Sequence, residues 1–309
     1  MSAIEQDLGA QLVDAINDLH GAHPGTRAAH AKGTYCRGIF TPAPAAATLT
    51  RAAHMRGGAV EALIRFSNGS GDPHAHDGAV DGRGMAVKFE LPDGTRTDIV
   101  ALTLPVFFSR TPEDFLAFTR ARRPDPATGQ PDMAVFSAFL GEHPEAMPAI
   151  QAALAARPPA SYAQCSYNSI HAFRFVNDAG ESSFVRYRWE PEAGEAGLDV
   201  EEAKQRSPDY LRDELAERLR SGPVGFRLSV AIAAAGDAVD DPTVAWPAER
   251  PRAVLGRLEI TRIQEDPERD GGVVVFDPTN VIDGIELSGD PILHVRRDAY
   301  SESVRRRMG

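Results

Sequence analysis

Apolar residues Ile4, Leu8, Leu12, Ile16 and Leu19 recur at helical spacing, which predicts an amphipathic helix over residues 4–20. Gly21 and Pro24 then break the pattern. From Thr34 to about Thr103 the texture changes to short apolar runs at 36–40, 63–66, 85–89 and 99–102, which read as strands. Turn-rich pieces separate them, among them Asn68-Gly69-Ser70-Gly71-Asp72-Pro73 and Pro92-Asp93-Gly94, the second marking a hairpin. Helical patterns follow near 113–122, 134–156 and 200–219. Between the last two lies a second hairpin, 172–176 and 184–189, joined by Asn177-Asp178-Ala179-Gly180. Two later strands are expected at 225–232 and 254–261, and a final helix at 291–307, with Asp290 as N-cap and Pro291 in its first turn. About eight antiparallel strands with helices grouped apart predict an α+β fold on a closed antiparallel β-barrel with surrounding helices. Periodicity alone does not separate a barrel from a sandwich. No repeat or low-complexity linker divides the chain, so residues 1–309 read as one domain, with a helical arm at 1–22 and a terminal helical segment at 290–309.

Composition narrows the function classes. Hydrophobic residues make up 42% of the 309 and charged residues 25%, enough for a sizeable core. A net charge of -11 argues against nucleic-acid and anionic-membrane partners, which need clustered positive charge. No stretch approaches the ~20 apolar residues that span a bilayer. Met1–Asp7 lacks a basic region followed by an apolar run, so a cytoplasmic protein is expected. Cys36 and Cys165 lie far apart, with no metal spacing, and suit a reducing compartment without a disulfide.

Candidate chemistry sits at both ends. On the last helix Arg296, Tyr300 and Arg307 project from one face. A tyrosine ordinarily ionises near pH ~10, and a guanidinium one turn away is the kind of group that favours its anion. Tyr300 with Arg296 is therefore a candidate iron ligand, and Arg307 a candidate carboxylate holder. The plain alternative is a solvated basic turn complementing the helix dipole. Near the start stands Arg27-Ala28-Ala29-His30-Ala31-Lys32-Gly33, and at the end of a strand Arg65-Phe66-Ser67. Each alone reads as ordinary structure. His74-Ala75-His76-Asp77, in a turn-rich stretch without further spaced ligands, reads as a polar loop rather than a metal site. Lys32-Gly33 lacks the Gly-rich run of a phosphate loop.

Taken together, these motifs resemble the catalase family in order and spacing. The likeness runs through Arg27-x-x-His30-Ala31-Lys32-Gly33, Arg65-Phe66-Ser67, and Arg83-Gly84-Met85-Ala86-Val87-Lys88-Phe89. It continues through Asp98-Ile99-Val100, Pro105-Val106-Phe107-Phe108-Ser109-Arg110 and His171-Ala172-Phe173-Arg174. Beyond these come Gly256-Arg257-Leu258-Glu259-Ile260, Phe276-Asp277-Pro278-Thr279-Asn280, Gly284-Ile285-Glu286, and Asp290-Pro291 with Arg296 and Tyr300. It covers nearly the whole chain from Arg27, and the short catalase-related peroxidases are the most similar kind.

The resemblance implies a haem b peroxidase. Tyr300 would be the iron ligand on the proximal helix, matching the tyrosine ligation of catalase haem. Arg296 would hold Tyr300 ionised, with His171 and Asp290 continuing the network. Arg27, Arg65 and Arg307 would bind the propionates, and Phe115 would stack on the porphyrin. On the opposite face His30 would act as acid–base catalyst, oriented by Ser67, giving a ferryl intermediate. Leu102 falls where catalases carry a distal asparagine. The resemblance therefore implies peroxidase work on organic hydroperoxides and hydrogen peroxide, a small organic reductant as partner, and weak catalase activity. The sequence ends nine residues after Tyr300, and no NADPH site is expected. A homo-oligomer stays open. So do two other functions: a lyase or isomerase of fatty-acid hydroperoxides on the same haem scaffold, and a haem-binding protein without turnover.

Overall fold

The structure, a computed structural model, describes residues 3–269 and 272–308, with side chains from residue 8 onward within the first helix. Met1, Ser2, Gly309 and the side chain of Ile4, which the sequence reading includes in its terminal segments, lie outside the described residues. The strands are β1 Gly33–Pro42, β2 Val60–Asn68, β3 Arg83–Glu90, β4 Arg96–Leu102, β5 Tyr167–Asn168, β6 Phe173–Val176, β7 Ser182–Pro191, β8 Val224–Ile232, β9 Arg252–Gln264 and β10 Ile285–Leu287. The helices are α1 Ala3–His20, α2 Ala46–Leu49, α3 Pro112–Ala121, α4 Met133–Glu142, α5 Met147–Ala155, α6 Val200–Gln205, α7 Tyr210–Ser221 and α8 Pro291–Met308.

Antiparallel pairing runs β5–β4–β3–β2–β1–β9–β8, and β7 joins β8 to β5. That pairing closes an eight-stranded barrel, the predicted architecture. β6 and β10 extend from β7 outside the ring. Inward positions alternate along each strand, and Phe40, Ile64, Phe66, Val87, Phe89, Trp189, Phe226 and Leu258 fill the interior with no exposed surface. The stretch β2–β4 departs from simple alternation, because much of its outward face is covered too. α1, α3, α8 and residues 275–276 lie over it and enclose a cavity. Leu12 and Ala15 of α1, Leu116 of α3 and Val295 of α8 pack into one small core above that cavity. Among the described residues, no helix is long and apolar enough to cross a membrane.

Two predicted helices break. The pattern at 134–156 divides into α4, a 3₁₀ turn at Pro144–Ala146 and α5. Pro144 lacks an amide proton and drives His143 out of helical backbone (φ -124°, ψ 66°). The pattern at 200–219 likewise divides into α6 and α7 around Ser207-Pro208. The N-cap of α8 is as expected: one oxygen of Asp290 accepts from the amides of Ile292 (2.9 Å) and Leu293 (3.4 Å).

Candidate active site

Strand register places Gly33, Ser67, Gly84 and Leu102 side by side across β1–β4. Tyr35, Arg65, Ala86 and Val100 form the next row on the same outward face. His30 precedes β1, and its imidazole Nδ1 lies 3.0 Å from Ser67 Oγ. The loop is pinned by backbone bonds from His30 N to Gly69 O, Ala31 N to Ser70 O and Asn68 N to Lys32 O. His30 has φ +55°, the one non-glycine residue with positive φ among those described. Gly84 makes the approach possible: a Cβ there would sit 2.7 Å from Ser67 Oγ and 3.1 Å from the His30 ring. Burial pushes the His30 imidazole down to about 4; Asp81 opposes the shift, while Arg65 and Arg296 add to it. The ring is therefore neutral at neutral pH.

α8 forms the facing wall. Arg296 Nε donates to the Tyr300 hydroxyl at 2.9 Å, and its Nη2 donates to the same oxygen. Arg296 Nη1 lies 3.0 Å from His171 Nε2, and His171 Nδ1 lies 2.6 Å from Asp290 Oδ2. A guanidinium only donates, so Nε2 accepts, and the proton on Nδ1 is donated to Asp290. Burial holds His171 down at about 4, against the pull of Asp290. Asp290, fully buried, thus caps its helix with one oxygen and orients His171 with the other.

At a third edge Arg27, Arg65 and Arg307 converge. Arg27 Nη2 donates to Tyr35 Oη (2.7 Å), Glu268 Oε2 (2.6 Å) and the Val274 carbonyl (2.7 Å). Arg307 Nη1 donates to Glu268 Oε1 at 2.7 Å, and Arg65 Nη2 to the Ala31 carbonyl at 3.0 Å. The Nε groups of Arg65 and Arg307 are buried with no partner among the described residues. Burial lowers Arg65 to about 10, still charged at neutral pH. Two unsatisfied cationic donors beside a largely apolar cavity suit a ligand with an apolar body and acidic edge groups, as haem has. Leu102, Phe107, Phe115, Ile170 and Ile292 supply apolar wall. Phe115 also packs edge-on against Phe107 at 5.2 Å.

The structure thus brings all the singled-out residues around one cavity except His171 and Asp290, which stand behind Arg296. Sequence reasoning missed Tyr35 and Glu268 as site residues and assigned no function to Gly84. The phase of Tyr35 beside buried Cys36, and a glycine inside a strand, were the available signals; Glu268 carried none. The His74–Asp77 stretch lies in a loop, as expected, and within it Asp77 is 1% exposed and accepts from Asn68 Nδ2, Leu211 N and Lys32 Nζ, tying the loop to α7.

Three buried imidazoles make acid stability predictable. His54 packs against Phe89 at 4.6 Å in a tilted arrangement, with neither nitrogen partnered among the described residues, and burial pushes it down to about 3. The unfolded chain takes up these protons below pH 6.5, whereas folded His30, His54 and His171 resist until about 4 or lower. They leave stability unaffected above about pH 6.5 and lower it as pH falls towards 4, by up to roughly 3 kcal/mol per group, because over that range the unfolded chain alone takes up the proton. The urea midpoint should therefore drop steeply over that window, and less steeply in His54→Leu. A midpoint that stays level from pH 7 to 4 would contradict this.

Comparison with known proteins agrees with the geometry. The family described as Catalase matches residues 8–309. A catalase-related peroxidase of Mycolicibacterium paratuberculosis is 46% identical over 300 residues, covering 97% of this chain and 94% of that protein. A second catalase-related peroxidase, from Synechococcus elongatus, is 35% identical over 96% of this chain and 88% of its own length. Among solved structures, a fungal catalase superposes with a TM-score of 0.84 at 27% identity, over 92% of this chain and 60% of that one. Catalase A from Saccharomyces cerevisiae gives 0.83 at 26% identity, over 92% and 61%. With the barrel, the α8 network and the His30–Ser67 pair all in place, the match over nearly its whole length means that this chain belongs to the catalase family.

Proposed function

We propose that the cavity holds haem b and that the protein is an oxidoreductase acting on peroxide, reducing organic hydroperoxides and hydrogen peroxide at the expense of a small organic reductant. The observation that carries this reading is the chain Tyr300–Arg296–His171–Asp290 on one wall with His30–Ser67 on the other. Tyr300 is the iron ligand: two donors from one guanidinium stabilise a phenolate oxygen, and neutral His171 fixes that guanidinium. Arg27, Arg65 and Arg307 hold the propionates, and Phe115 packs against the macrocycle. When bound, haem supplies the redox centre for O–O cleavage. The protein's part is proton handling. With Nδ1–H donated to Ser67 Oγ, His30 Nε2 is left as the base that takes the hydroperoxide proton and delivers it to the departing oxygen.

Leu102 sets the balance of activities. It lines the cavity beside Gly84 and His30 and has no donor with which to orient a second hydrogen peroxide. Reduction by organic compounds then outruns oxygen evolution. The test compares dye oxidation with oxygen evolution per mole of bound haem, after an optical spectrum has identified high-spin ferric haem. Leu102→Asn should raise the share of oxygen evolution, and an unpartnered buried amide should cost about 1–3 kcal/mol of stability. A native protein that evolves oxygen far faster than it oxidises dyes would refute this role for Leu102.

A further inference from the structure

We propose that Glu268 is a resident third anion of the propionate site, a positioning residue that fixes Arg27 and Arg307 and thereby sets how long haem stays bound. The inference rests on the haem reading above. Three guanidiniums meet here, and among the described residues Glu268 is the one carboxylate bonded to any of them, through Arg27 and Arg307. Counted over the described residues, that leaves a balance of +2, the charge two propionates neutralise. Glu268 uses both oxygens on the chain itself: Oε2 accepts from Arg27 Nη2 (2.6 Å) and the Tyr35 hydroxyl (2.6 Å), and Oε1 from Arg307 Nη1 (2.7 Å) and the Val274 amide (3.0 Å).

The donors left without partners, the buried Nε groups of Arg65 and Arg307, are different atoms from those Glu268 engages. Glu268 therefore does not stand in the place of a propionate; it leaves separate donors for one. Burial works against its charge, yet Arg27 and the Tyr35 hydroxyl hold the carboxyl down at about 2, so the anion persists at neutral pH. Burial pushes Tyr35 up to about 12, which keeps the phenol a neutral donor. Without the carboxylate, Arg27, Arg65 and Arg307 repel one another, and Arg307 loses the acceptor that holds its head group. A long side chain freed in this way must be ordered again to bind, a larger loss than the relief of repulsion between Glu268 and propionates across intervening guanidiniums.

The experiment loads native, Glu268→Gln and Glu268→Asp proteins with haem and measures haem transfer to excess apomyoglobin. Glu268→Gln should release haem about tenfold faster with an unchanged ligand spectrum, and Glu268→Asp should recover part of the retention. Gln has the shape of Glu, so a space-filling role would be met equally by both and is overturned by that result. Equal or slower release from Glu268→Gln would overturn the proposal, slower release meaning that Glu268 competes with a propionate. A native protein that takes up no haem would instead bring down the haem reading, and this inference with it.

Discussion

Replacing Tyr300 by phenylalanine should leave a folded barrel that no longer retains haem. The substitution removes one oxygen and keeps the ring that lines the cavity, so packing in α8 is preserved. Partners one bond removed from a metal already change affinity by about 10–100-fold, and loss of the ligand itself should exceed roughly a hundredfold. Arg296 would also lose the acceptor for its Nε and Nη2 donors, a second penalty that falls on the same wall. The measurement is haem content and absorbance after reconstitution, with circular dichroism to verify the fold. A Tyr300→Phe protein with full haem and an unaltered spectrum would assign the iron to another residue.

The second large effect is at His30. His30→Ala should keep haem, since the Tyr300 and arginine contacts are elsewhere, but should slow the reaction with hydroperoxide by ~10²–10⁴-fold. In the native protein the rate should be level through neutral pH and decline only as pH falls through about 4, where the buried imidazole takes up its proton. Stopped-flow rates that barely differ between the two proteins would remove His30 from the proton-transfer role.

Much of this site is legible in the sequence, for identifiable reasons. Asp290, Arg296, Tyr300 and Arg307 belong to one helix, where spacing alone decides which residues share a wall. The Arg27–His30 and Arg65–Ser67 segments are far from each other and from that helix in sequence, and become a group with it only through the order of family motifs. The barrel follows from strand texture, but its closure does not. β5 has two residues, too few for any periodic signal, and β7 joins β8 to β5 through pairings that depend on the finished sheet. Outward residues on β2–β4 are buried by helices distant in sequence, so alternation there gives no warning of a second apolar surface. Glu268 lies in an irregular segment, where nothing local foretells a partner 241 residues away.

The left-handed backbone at His30 has a consequence for how this position would fare under selection. An L-residue pays conformational energy at φ +55°, of order 1–3 kcal/mol, that glycine avoids and asparagine tolerates better. A lineage freed from peroxide exposure would therefore gain robustness by drifting to either, without disturbing the Gly69 and Ser70 contacts that fold the loop. Histidine at position 30 is thus held against a local conformational cost, and a library sorted only for heat tolerance, with no demand for activity, should admit glycine or asparagine there.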